Sequence, residues 1–140
     1  MANNGRTKGC ATLFSSCLTE SEEQRILFQW RALQLHAHPD LRLLFHVPNE
    51  GRRSYATGAR MKAEGMTKGV PDLWLPVARG AYHGLVIELK RRDRSRSRIS
   101  PEQRKWISDM TEQGWCAAVC YGAEDAIDLI SRYIILEGKQ

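Results

Sequence analysis

One strand-like word limits the architecture of this chain more than any other: Val86-Ile87-Glu88-Leu89-Lys90. A run this apolar belongs in a sheet, yet it carries a carboxylate and an ammonium. Side chains alternate along a strand, so Leu85, Ile87 and Leu89 face one way and Val86, Glu88 and Lys90 the other. Ionised groups in such a strand are costly unless paired or bound to a metal. A second word, Gly69-Val70-Pro71-Asp72-Leu73, puts another acid at the edge of an apolar strand. Each has a plain structural account. An acid after proline is a common turn residue, and a half-exposed edge strand would also spell V-I-E-L-K. Taken together, Asp72 and Glu88 with Lys90 beside them suit a divalent-cation site acting on phosphate, with oxygen ligands that favour Mg²⁺ or Mn²⁺.

The rest of the chain supplies elements to surround these strands. Ile26, Leu27, Trp30, Leu33 and Leu35 fall mostly at helical spacing, predicting a helix from Thr19 or Ser21 to near Pro39. Leu41 to Val47 reads as a strand, ended by the turn Pro48-Asn49-Glu50-Gly51. A weaker helix is expected from about Tyr55 to Glu64, closed by Gly65. Val70–Val77 and Tyr82–Arg91 read as a hairpin turning near Gly80. Ser100 caps a helix with Pro101 in its first position, running to Gln113 before Gly114. Trp115–Tyr121 is a further strand, and Ala123–Leu136 a helix with Ile127, Ile130 and Ile134 inward. The order α-β-α-β-β-α-β-α predicts an α/β fold with a mixed sheet flanked by helices, closed by a right-handed crossover. At 140 residues this is one domain, residues 19–140, behind a flexible polar arm, residues 1–18.

A net charge of +5 favours a polyanionic partner. Its distribution says more. From Lys90 to Arg98, six basic residues (Lys90, Arg91, Arg92, Arg94, Arg96, Arg98) stand against one acid immediately after the acidic strand. A solvated loop would look the same, but beside a carboxylate cluster these cations would bring a phosphodiester towards a metal. Arg52, Arg53, Arg60, Lys62 and Lys68 form a second basic set before Asp72, suited in part to DNA-backbone contact. The four cysteines and four histidines lack zinc-site spacing, and Cys116 and Cys120 read as buried small residues. No apolar run reaches membrane-spanning length, and Met1–Lys8 lacks the apolar segment of a signal peptide. A cytoplasmic setting, without membrane partners, is the expectation.

Pro71-Asp72 followed by Glu88-Leu89-Lys90 resembles the signature of PD-(D/E)XK nucleases. Ser21-Glu22-Glu23-Gln24, Val47-Pro48-Asn49, Gly69-Val70-Pro71-Asp72 and Ser100-Pro101-Glu102-Gln103 occur in the order found in VRR-NUC domains, from about Thr19 to Tyr133. The chain therefore resembles a stand-alone, phage-type VRR-NUC protein with a restriction-endonuclease-like fold, departing from the pattern at Glu50-Gly51, where Gly-Gly is expected. The resemblance implies a metal-dependent endonuclease. It selects Glu22 as a further metal ligand, with Glu23 its competitor. It adds the Leu89 backbone carbonyl as a ligand, puts Lys90 near the attacking water and the scissile phosphate, and puts Gln103 near the metal. Both Thr19-x-x-Glu22 and Ser100-x-x-Gln103 also satisfy a capping box, a purely structural role. His46 and Asn49, at the end of a strand, could line the groove, although a buried or solvent-satisfied histidine accounts for His46 as well. The resemblance further implies branched-DNA processing and, for short stand-alone members, cleavage of Holliday (four-way) junctions by a homodimer. Flaps, nicked duplex and single strands remain alternative substrates, and a non-catalytic DNA-binding protein is the more distant alternative.

Overall fold

A computed structural model describes residues 18–48 and 55–138. The arm up to Cys17, and with it Asn49, Glu50, Gly51, Arg52 and Arg53, lies outside the described residues. The chain order is α1 (Glu20–Gln34), a 3₁₀ turn (Pro39–Leu43), β1 (Phe45–His46), α2 (Tyr55–Ala63), β2 (Leu73–Leu75), β3 (Leu85–Lys90), a second 3₁₀ turn (Arg94–Arg96), α3 (Pro101–Glu112), β4 (Cys116–Tyr121) and α4 (Ala123–Ile134). This is the expected α/β order with two short turns added.

The four strands form one sheet in the order β1-β2-β3-β4. β1 and β2 are antiparallel, as are β2 and β3, while β3 and β4 are parallel across α3. All six residues of β3 are buried, as expected for a strand covered on both faces. Leu85, Ile87 and Leu89 join Leu27 of α1 and Ala126, Ile130, Tyr133 and Ile134 of α4 in one core. The spacing of the α4 residues gives that helix one continuous inner stripe. Each Leu or Ile buried this way stabilises the fold by about 1.5–3 kcal/mol. α3 lies beside β3 and β4, and its first turn meets the opposite face of β3, the one that carries Glu88.

Three expectations are corrected. Leu41–Val47 is not a strand: Pro39 opens a 3₁₀ turn to Leu43, and only Phe45 and His46 pair. Arg31 explains why, since its guanidinium donates to the carbonyls of Leu41 and Arg42, each at 2.7 Å, meeting their needs outside a ladder. The hairpin is present with Gly80 at its tip (φ 54°), closed by the Arg79–Tyr82 bridge, but β2 is short. Pro71 and Pro76 flank it, and proline has no N–H for the ladder. Finally, α1 ends at Gln34, and only Leu27 of its expected apolar face is fully buried; Ile26 and Leu33 are 39% and 81% exposed.

Candidate active site

The antiparallel register pairs Leu73 with Ile87, which puts Asp72 directly across from Glu88. The ladder continues through Asp72, whose carbonyl accepts from Val47 N–H at 2.8 Å. Opposed residues on a strand pair share a face, so two carboxylates meet where the sheet ends. Both are enclosed: Asp72 is 8% exposed and Glu88 1%. Asp72 Oδ2 accepts from the backbone N–H of Leu89 at 2.9 Å. Glu88 Oε1 accepts from the Lys90 ammonium at 2.8 Å and from the Gln103 side-chain amide. Burial pushes the Lys90 pKa down, but the bond to Glu88 and the nearby charges of Glu88, Glu20 and Asp72 outweigh it and hold the ammonium above its ordinary value. Asp72, Glu88, Lys90 and Gln103, picked out in the sequence, thus stand together.

Gln103 caps its helix and also reaches Glu88. Its Oε1 accepts from Ser100 N–H at 2.9 Å, Ser100 Oγ accepts from Gln103 N–H at 3.1 Å, and the amide nitrogen is left to reach Glu88. The cap orients the amide, and so decides which of its ends faces the carboxylate. Gly69 (φ 80°) holds the preceding loop against this helix start; a Cβ there would lie 2.6 Å from the Glu102 carbonyl carbon. Trp106 adds a second tie, its indole N–H donating to the Lys68 carbonyl at 3.0 Å.

Helix α1 brings Glu20 rather than Glu22. Thr19 is the N-cap, and Glu22 folds back to accept from its N–H at 2.7 Å and its hydroxyl at 2.8 Å. These bonds, with Arg25 and Arg91 nearby, lower the Glu22 pKa; the carboxylate is a solvent-facing cap. Leu27 marks the inner face of α1. Counting back seven and four residues from it reaches Glu20 and Glu23, with Glu22 about 100° away. Glu20 lines a recess of about 190 Å³ with Asp72, Leu89 and His46, where the His46 ring nitrogen Nδ1 lies 3.1 Å from the Asp72 carbonyl oxygen. Glu23, the competitor, is fully buried and accepts from Ala123 N–H at 2.7 Å, capping α4, whose own N-cap, Gly122, has no side chain to do so.

The basic residues divide. Lys62 and Lys68 line a larger recess of about 780 Å³ that also touches Asp72 and Gln103. Arg92 is drawn inward, 3.9 Å from Glu23 and 3.3 Å from Glu124. Arg94 stacks 4.2 Å over the Tyr121 ring, Arg96 pairs with Asp93 at 3.5 Å, and Arg98 is exposed. Among the described residues, no three His, Cys, Asp or Glu side chains stand close enough to hold a metal ion in this arrangement. The donor types nevertheless fit a hard cation: carboxylates from Glu20, Asp72 and Glu88 around the Leu89 backbone, with no thiolate among them.

A family profile described as the VRR-NUC domain matches residues 15–124. The chain belongs to the VRR-NUC family. A solved structure titled "VRR_NUC domain protein" is similar at 34% identity and a TM-score of 0.74, covering 86% of this chain and 92% of that one. No curated protein matches. VRR-NUC domains are nucleases of the PD-(D/E)XK type, a class that generally uses divalent metal ions, so this chain is a nuclease domain with DNA as its substrate. Among the described residues, no helix is long and apolar enough to cross a membrane.

Proposed function

We propose that this VRR-NUC protein is a divalent-metal-dependent, structure-selective DNA endonuclease that cleaves four-way junctions as a homodimer. The observation that carries the chemistry is Glu88: a buried mid-strand carboxylate facing Asp72 across the ladder and bound by Lys90 and Gln103. Glu20, Asp72, Glu88 and the Leu89 carbonyl would hold Mg²⁺ or Mn²⁺, which when bound supplies a lower pKa for water and charge neutralisation at the phosphate. Lys90, whose ammonium stands 2.8 Å from Glu88, takes an electrostatic part. The ammonium opposes the negative charge that gathers on the phosphate oxygens as water attacks in line with the leaving oxygen. Gln103 fixes the Glu88 carboxylate, and the exposed basic residues hold the flanking backbone. The dimer follows from the substrate: a two-fold symmetric junction cut on two strands needs two such clusters, and one chain supplies one.

The test incubates the protein with Mg²⁺ or Mn²⁺ and labelled four-way junction, flap, linear duplex and single strand, beside Glu88→Gln, Glu20→Gln and Glu22→Gln. The expected result is symmetric junction nicking, reduced about a hundredfold or more in the first two variants and near native in Glu22→Gln. Equal cutting of every substrate would keep the nuclease and remove the junction preference. Loss in Glu22→Gln with Glu20→Gln intact would reverse the assignment on α1. No metal-dependent cutting would leave a DNA-binding protein.

A further inference from the structure

The larger recess opens beside the acidic cluster and shares Asp72 and Gln103 with it. Its walls are one side of α2, the loop from Gly65 to Val70, and the Asp72–Gln103 edge of the acidic cluster. At about 780 Å³ it falls in the range of sites that enclose small organic ligands. Val70 and Met66 give it apolar surface, and Gly58, Gly65 and Gly69 expose backbone rather than side chain. Lys62 and Lys68 supply two exposed ammonium groups at its margin. Apolar surface beside glycine backbone suits an aromatic heterocycle, and marginal lysines suit the phosphates on either side of it. α2 has no fully buried residue, so this wall has room to adjust to an occupant.

We infer that this recess receives an unstacked nucleobase of the DNA strand being cut, next to the scissile phosphate. The inference rests on the nuclease reading and deepens it by naming how the substrate is chosen. Asp72 and Gln103 border both the recess and the acidic cluster, so an occupant must lie within one or two nucleotides of a phosphate held there. A base inside an intact duplex is stacked and paired and does not reach such a site unless it is extruded. At a junction or flap the bases at the branch point have already lost neighbours, and their transfer costs least. Selection for branched DNA then needs no reading of base identity.

Gly58 makes the idea testable, because a Cβ built there meets nothing within 4 Å. Gly58→Phe should fill the recess without disturbing packing, and Ala56→Phe, two residues away on a different side of the exposed helix, is the control. The probe is four-way-junction DNA carrying 2-aminopurine, in turn, at each branch-point position and either side of any mapped cut. It is bound by full-length Glu88→Gln protein so that no cleavage intervenes. A severalfold rise in fluorescence at one position is expected, abolished by Gly58→Phe and kept by Ala56→Phe. In the otherwise native chain, Gly58→Phe should slow junction cleavage about tenfold or more, with circular dichroism and thermal melting unchanged. Fluorescence that stays quenched at every position, or rises equally in Gly58→Phe, overturns the inference even if the junction is cut. A Gly58-dependent rise without any cutting upholds the recess and removes the nuclease reading instead.

Discussion

Replacing Glu23 with alanine should destabilise the protein by about 3 kcal/mol, and should do so whether or not a divalent metal is present. The carboxylate is fully buried and accepts from Ala123 N–H at 2.7 Å. Losing it leaves the start of α4 with a buried donor that Gly122 does not satisfy, at a cost of about 1–3 kcal/mol. Removing the side-chain methylenes adds about 1 kcal/mol. Arg92, 3.9 Å away and with its side chain 33% exposed, is too distant and too wet to add much. At about 4 °C per kcal/mol for a domain of this size, the melting temperature should fall by about 12 °C. Urea denaturation monitored by tryptophan fluorescence, with EDTA and with Mg²⁺, is the assay, and the midpoint should drop with the slope unchanged. A loss under about 0.5 kcal/mol would refute the capping role. A deficit seen only with Mg²⁺ would instead make Glu23 a metal ligand.

Gly69→Ala should impair both stability and cleavage. Its Cβ would stand 2.6 Å from the Glu102 carbonyl carbon and 2.8 Å from Gln103 N, at a φ of 80° that disfavours any side chain. About 1–3 kcal/mol of stability should go, together with activity beyond what unfolding explains; an alanine variant of native kcat would contradict the contact. Alkaline pH should also weaken the fold. Burial, with minor help from Asp125, pushes the Cys120 thiol up to about 12, and burial likewise pushes the Tyr133 hydroxyl up to about 12. The unfolded chain releases these protons from about pH 8.5 and 10 while the fold retains them, so stability is whole below about pH 8.5 and declines towards 12. Urea midpoints at pH 8 and 10.5 measure this, and Cys120→Ala should flatten part of the slope; equal midpoints would discard it.

The acidic strand was legible because its evidence is local. Period-two alternation alone sets Glu88 and Lys90 on one face, and the cap at Ser100 sets Gln103 in the first turn of its helix. The partner strand was legible too, since the hairpin around Gly80 brings Asp72 across from Glu88. Three acids crowd the first turn of α1, and adjacent residues point about 100° apart. Choosing among them requires knowing which single apolar residue is buried, and Leu27 declares itself only once Leu33 and Ile26 are seen in solvent. Glu23 and Arg92 were opaque for a different reason. Their partners include Ala123, 100 residues away from Glu23 in the chain, and Glu124, and nothing local announces contacts of that reach. Leu41–Val47 misled because apolar content says nothing about whether a guanidinium will occupy the carbonyls.

Gln103 has one amide and two duties. Helix ends are where folded proteins open first and most often, and here the end of α3 is tied to the buried acid Glu88. Each fraying of that first turn frees the amide to rotate, and a rotated amide presents its oxygen, not its nitrogen, to Glu88. Under the proposed mechanism the site works only while that helical turn stays closed, and amide-proton exchange at Gln103 and Arg104 would time it.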